Sequence, residues 1–229
     1  MVTYHELGHA VTAHVLDEAD QVEKISIVSR GQALGLTWKS SEEDTHLYSK
    51  TKMLHEVISL LGGRAAEEVW FGFDNITTGA SNDFERATRI ISDMVAKYGM
   101  DADLGPVMYW DKDKDNYTMF KPYSEKTGEL IDSKIKGYLM ECYDESKKIL
   151  QKHKADIDRM ADVLKAKEYL TKEEFETLME DISQADVMLA DYEKLISKEE
   201  REAAKAKKTI TKKKTPVKKK PLEGKKLAG

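Results

Sequence analysis

His5 and His9 stand four residues apart, with Glu6 between them, in the stretch "TYHELGHAV" (residues 3–11). On a helix, residues i and i+4 share a face with Cβ atoms roughly 5–6 Å apart, so both imidazoles reach one metal ion. Glu6 sits one step around the helix, where it contacts a metal-activated water without ligating the metal. Zinc in such a site lowers the pKa of water from about 15.7 towards about 7, and a carboxylate takes the proton as hydroxide attacks a carbonyl. The pattern fixes only three residues, so the competing reading is a chance HExxH on a solvated helix. Tyr4, Leu7, Ala10 and Val11 would bury this helix, and buried polar side chains need partners, which favours the metal reading.

A hydrolytic zinc site needs a third protein ligand and one open position. The extended form HExxHxxGxxH is absent, because position 12 is Thr and position 15 is Val, and the later glutamate signal of thermolysin-type enzymes is missing too. The best remaining place is "TTGASNDFERAT" (77–88), where Asp83 follows a Gly loop at a helix start and can aim outward. By composition alone Asp83 is equally well explained as a helix-cap carboxylate. His14, His46, His55 and His153 read as ordinary surface or core histidines.

The elements that must position these groups are legible in outline. Tyr4, Leu7, Val11 and Val15 recur at three- and four-residue steps, which predicts a helix over 3–16. "VEKISIVSRGQALGLTW" (22–38) predicts two short strands around a Gly turn. Residues 40–72 start acidic and turn helical, with an apolar stripe of Met53, Leu54, Val57, Leu60 and Leu61, and Gly62-Gly63 allow close packing or a kink. Ser81 or Asn82 is the candidate cap of the helix "DFERATRIISDMVAKYG", and Gly99 stops it. A Gly/Pro/Asp-rich connection leads to residues 124–196, which are almost continuously helical in pattern. "YLTKEEF" restarts a helix there, with Thr171 as N-cap and Glu174 at the capping-box position. The expected fold is mainly α with a small β element. A domain over 1–197 divides into an active-site part (about 1–110) and a helical bundle part (about 124–197), followed by a Lys-rich disordered tail over 198–229.

Composition narrows the function classes. At 229 residues, 40% hydrophobic and 34% charged, the chain reads as a soluble, helix-rich protein with a polar tail. The net charge of -5 hides an asymmetry: from Lys198 onward 12 Lys and one Arg face four Glu, so the tail carries +9 and the body -14. An acidic body argues against nucleic-acid binding by the folded part. No apolar run approaches the roughly 20 residues that span a bilayer, and no signal-peptide pattern is expected at the N-terminus. The single cysteine, Cys142, cannot form an internal disulfide and reads as a small buried or half-buried side chain in a reduced, cytosol-like compartment.

Taken in order, the blocks "YHELGHAV", "SRGQALGLTW", "EEDTHLYSK", "LLGGRAAEEVWFG", "TTGASNDFERAT", "MVAKYGMDADLGPV" and "YSEKTGELID" resemble the peptidase domain of the FtsH-type AAA+ metalloproteases, membrane-anchored and ATP-driven zinc proteases. The resemblance covers roughly residues 1–180, with "TKEEF" a weaker C-terminal echo. It implies an FtsH-type fold with one Zn2+ per chain, held by His5, His9 and Asp83, and Glu6 as the catalytic base. It also implies that the segment "ISIVSRGQALGLTW" forms a strand near the cleft beside which extended substrate adds, so Ile27, Val28, Gly31, Ala33, Leu34 and Gly35 are the candidate substrate-binding residues. Main-chain pairing of that kind accepts many sequences; the plain alternative is a structural hairpin. Gly62, Gly63, Arg64, Glu67 and Glu68 match a family block and read mainly as helix packing and charge satisfaction.

The implied activity is zinc-dependent endopeptidase action on unfolded or loosely folded polypeptides, normally fed by an AAA+ ATPase domain. The family implies a homo-hexamer at the cytoplasmic face of a membrane, with no specific nucleic-acid partner. These 229 residues hold no nucleotide site of the GxxxxGKS/T kind, so the expectation is a domain lifted from a larger machine, with a stand-alone peptidase as the alternative. Where the family commonly has Leu-Pro after the second strand, this chain has Lys39-Ser40-Ser41, which leaves the zinc residues untouched. The basic tail reads as solubilising or tethering, with contact to an anionic membrane surface or nucleic acid as the other reading. The alternative function is a catalytically silent, helical ring-forming assembly module, motivated by the pattern over 124–196. A silent copy has no need of Glu6, which argues against it. A nucleic-acid binder resting on the tail alone ranks last.

Overall fold

In a computed structural model that describes residues 1–28, 36–40, 47–109 and 123–212, the histidine motif lies on helix α1 (Val2–Val15). The chain divides into two units, Met1–Val187 and Met188–Gly229. In the first, strands β1 (Gln21–Ser26) and β2 (Leu36–Ser40) follow α1, then come α2 (Lys50–Phe71), α3 (Ser81–Ser92), α4 (Glu125–Lys152), α5 (Lys154–Lys167), β3 (Tyr169–Thr171) and α6 (Lys172–Glu180). The last helix, α7 (Gln184–Lys212), supplies the described part of the second unit. No helix among the described residues is long and apolar enough to cross a membrane.

The β element has three antiparallel strands in the order β2-β1-β3. Ile25 pairs with Thr37 on one side and Leu170 on the other, with an irregularity between Val22 and Lys24. The expected strand pair is present, while the residues that join it, 29–35, lie outside the described residues. Strand β3 was hidden in the helical pattern because three residues are too few for a period-two signal, and its partner lies far away in sequence. It ends the helical run that the periodicity predicts over 124–196. Helix α5 stops at Glu168, which takes the left-handed conformation at φ 66°, and Thr171 then caps α6 in a full capping box with Glu174.

Helix α1 is buried on most of its surface, and its closest neighbour is α2. Their contact is backbone against backbone. A Cβ placed on Gly8 would lie 2.3 Å from the Gly62 carbonyl oxygen, and one on Gly62 would lie 2.5 Å from that of Gly8. Gly62 thus serves close approach, one of its two expected roles. Gly62→Ala should destabilise the fold, because overpacking costs about 1–3 kcal/mol and backbone cannot swing aside as a side chain can. The gain in helix propensity, about 1 kcal/mol, is smaller. Gly137 in α4 meets nothing within 4 Å, so Gly137→Ala is the control with the opposite sign. Thermal melts should show Tm falling by several degrees for the first and rising by about 1–3 °C for the second. Equal shifts would mean the helices do not meet at Gly62.

The other elements close around this pair. Leu7, Ile25, Ile91, Met94, Leu150 and Ile157 are fully buried. Ser49 caps α2 by accepting from Lys52 N at 2.9 Å, and Ser124 caps α4 through Thr127 N at 3.2 Å. Helix α3 departs from expectation: it begins at Ser81 itself, its N-cap position is Ala80, and no side chain caps it. The cap falls instead one turn earlier, where Thr77 accepts from Gly79 N at 3.2 Å. Helix α3 continues through a π-helical turn, Asp93–Lys97, to Gly99 at φ 63°. Cys142 is buried, and burial pushes its thiol up to about 12. Of the stretch expected to be disordered, residues 198–212 continue α7, and 213–229 lie outside the described residues.

Candidate metal centre

Three side chains from two helices converge on one point, His5 and His9 of α1 and Asp83 of α3. His9 Nε2 lies 3.1 Å from His5 Nε2, and Asp83 Oδ2 lies 3.5 Å from the first and 3.4 Å from the second of these rings in chain order. The α1 histidines are brought together by helical spacing alone. Asp83 reaches them because α3 packs against α2 with its first turn pointing at α1. Zinc holds N and O donors about 2.0–2.1 Å away, which puts tetrahedral donors roughly 3.3 Å apart. The triangle fits that spacing without rearrangement. Among the described residues, no other group of His, Cys, Asp or Glu converges in this way.

The ring nitrogens that face away are fixed. His9 Nδ1 lies 2.8 Å from the Ser59 carbonyl oxygen, which can only accept, so the proton sits on Nδ1 and the Nε2 lone pair faces Asp83 and His5. His5 Nδ1 donates to Glu67 Oε1 at 3.0 Å. This carboxylate–imidazole pairing sets the tautomer and ring orientation that a metal ligand needs.

A family model for Peptidase family M41 matches residues 1–178. The chain belongs to peptidase family M41. It is similar to the ATP-dependent zinc metalloprotease FtsH 2 of Petrotoga mobilis, 40% identical over 186 residues, which cover 79% of this chain and 29% of that protein. It is similar also to the ATP-dependent zinc metalloproteases FtsH of Thermotoga maritima (38% identical, 78% and 30% covered) and Cupriavidus metallidurans (41%, 77% and 27%). The M41 chain thus spans under a third of the length of these curated relatives.

In this M41 chain Glu67 does more than the expected charge satisfaction. Its carboxylate is 2% exposed and accepts from His5 Nδ1, from Thr77 N at 2.7 Å and from Thr77 Oγ1 at 3.0 Å. One buried group therefore ties a motif histidine to the loop that leads into α3 and Asp83. Gly63 is the second residue whose role sequence reasoning missed. A Cβ there would lie 2.5 Å from His9 Nε2 and 2.6 Å from His5 Nε2, so only glycine leaves room for the two rings. The "GGRAAEE" block signals both positions, but their contact with the histidines is tertiary. Tyr4 anchors the start of α1: its hydroxyl donates to Asp158 Oδ1 at 3.1 Å, and Trp70 Nε1 donates to the same oxygen at 2.6 Å.

Burial works against charge on Asp83 and His5, but their mutual contacts outweigh it. Hydrogen bonds with His5 and His9 hold Asp83 well below the usual carboxylate range. Asp83, Glu6 and Glu67 together raise the His5 imidazole above its ordinary value, against the pull of burial. Glu6 is buried on α1 beside both histidines in sequence. The three converging side chains keep 12, 10 and 16% exposure for His5, His9 and Asp83, so none of them is sealed from solvent.

The remaining sequence candidates fall elsewhere. Ile27 N donates to the Glu168 carbonyl at 3.0 Å, continuing the β1–β3 side of the sheet, and Val28 is exposed at the end of the strand. Gly31, Ala33, Leu34 and Gly35 lie outside the described residues, as does His46. His14 meets Phe175 edge to face at 5.5 Å, His55 accepts from Glu18 N at 3.4 Å, and His153 faces Asp156 at 3.7 Å. These contacts suit the ordinary roles expected of them.

Proposed function

We propose that the chain is the peptidase part of an ATP-dependent zinc protease, with His5, His9 and Asp83 holding one zinc ion and Glu6 acting as general base. The observation that carries this reading is the donor triangle of 3.1, 3.4 and 3.5 Å formed by His5 Nε2, His9 Nε2 and Asp83 Oδ2. Zinc, when bound, supplies Lewis acidity, polarising a peptide carbonyl and acidifying water. The chain's own residues do the rest. Glu67 and the Ser59 carbonyl hold the two imidazoles in the donor tautomer, and Gly63 leaves them room. Glu6 takes the proton of the attacking water and delivers it to the departing amine nitrogen.

Strand β2 is one of the two edge strands of the sheet and, with β1, lies against α1. An extended polypeptide pairing there through its main chain would be read independently of its side chains, which suits unfolded or loosely folded substrates. Of the candidate substrate-binding residues, Ile27 and Val28 follow β1 in sequence and Gly31, Ala33, Leu34 and Gly35 precede β2. The ATP dependence in the relatives' names supports delivery of substrate by an AAA+ domain of a longer parent protein; a homo-hexamer at the cytoplasmic face of a membrane follows from the family resemblance alone. The basic stretch from residue 198 serves as a solubilising or tethering tail.

The purified chain should contain one zinc per chain by atomic spectroscopy and should cleave reduced casein. Chelation should remove both zinc and activity, and added zinc should restore both. Casein cleavage that persists in protein with zinc well below stoichiometric would sink the reading.

A further inference from the structure

A cavity of about 820 Å³ lies between α2, α3 and α4, walled by Leu61, Phe84, Ile131, Ile135 and Leu139. That size falls within the roughly 300–1,000 Å³ of small-molecule sites. Ile131, Ile135 and Leu139 recur at four-residue steps, so a single stripe of α4 forms one apolar wall.

Arg64 of α2 enters the same wall. Its Nε is buried and has no hydrogen-bond partner. Among the described residues its guanidinium stacks over Phe84 at 4.9 Å and forms no ion pair. Glu68, one turn further along α2, is engaged elsewhere: it accepts from Tyr143 Oη at 2.5 Å and from Lys147 Nζ at 3.4 Å. Asp132 and Lys136, opposite in sign, also line the cavity but stand exposed, where water solvates their charges. Among the described residues, Arg64 is the half-buried charge of this lining that forms no ion pair. A partly desolvated guanidinium is costly unless an anion meets it, and its planar fork fits a carboxylate with two parallel hydrogen bonds.

We propose that this cavity binds an apolar carboxylate, with its hydrocarbon chain along the α4 stripe and its carboxylate on Arg64. The charge complementarity of a half-buried guanidinium that forms no ion pair among the described residues, beside the apolar stripe of α4, selects this class over a neutral lipid or a second helix. The inference rests on the cavity and Arg64 and is independent of the zinc reading.

Isothermal titration of the full chain with decanoate, octanoate and 1-decanol tests it. Decanoate should saturate one site at least about tenfold more tightly than decanol, the difference being the charge-assisted contact. Octanoate should bind about sixteenfold more weakly than decanoate, since each buried methylene contributes about fourfold. Arg64→Gln should abolish the preference for decanoate while decanol binding persists. Ile135→Trp, which fills the cavity, should weaken both ligands at least about tenfold. Equal binding of decanoate and decanol by the unaltered chain would overturn the proposal, and that comparison needs no variant to fold. Absence of saturable binding up to about 1 mM decanoate would overturn it too. So would displacement of decanoate by reduced casein, which would assign the cavity to polypeptide, or binding that weakens as protein concentration rises, which would assign it to a second copy.

Discussion

Replacing Glu6 with Gln is expected to lower casein hydrolysis by roughly 10²- to 10⁴-fold, the range that a positioned general base contributes. Zinc content should stay at that of the unaltered chain. Glutamine keeps the shape and hydrogen-bonding reach of glutamate but cannot take a proton at neutral pH. Glu6 is absent from the converging donor group of His5, His9 and Asp83, so its replacement should leave the metal in place. Initial cleavage rates and zinc per chain, measured on the same preparation, separate the two roles. If Glu6→Gln loses zinc in proportion to activity, Glu6 is a ligand or a structural support. If activity is unchanged, the base lies elsewhere.

Asp83→Ala is expected to weaken zinc binding by more than the 10- to 100-fold typical of losing an outer-sphere partner, because a direct donor is removed. Two imidazole nitrogens 3.1 Å apart would remain. The same variant decides between the two readings that composition left open. A helix-cap carboxylate would cost about 0.5–2 kcal/mol of stability on removal and leave metal binding alone. Helix α3 has its N-cap at Ala80 with no side-chain cap, so the stability that metal-free Asp83→Ala loses comes from its contacts with His5 and His9 and not from a lost cap. Competition against a chelator of known affinity reads the first effect, and thermal melts without metal read the second. Unchanged zinc affinity would remove Asp83 from the site.

Part of the fold was legible because its cause is local. The spacing of Tyr4, Leu7, Val11 and Val15 yields α1, and "YLTKEEF" yields the Thr171–Glu174 capping box, since both depend on residues within one or two turns. The end of the helix before it was not legible. Glu168 takes the left-handed conformation without being glycine, and the three residues that follow become a strand because Ile25 offers them a partner. The cap of α3 was misplaced for a related reason: Ser81 and Asn82 are good cap residues, but Thr77 and the turn after it, tied down by Glu67, set where the helix starts.

The chain's own sequence determined two donors and a base, because i and i+4 on any helix share a face. The ordered blocks of the family added Asp83 as the expected third donor. The tertiary structure decided how these groups are held. The backbone contact of Gly8 with Gly62 sets how closely α1 and α2 approach, and that closeness is what lets Gly63 lie beneath both rings and Glu67 reach His5. It also places Arg64, which forms no ion pair among the described residues, beside the apolar stripe of α4, a juxtaposition no local pattern marks. Helical periodicity is written in neighbours three and four apart, whereas the setting of a donor depends on which helices pack together, and that is fixed only when the whole core closes.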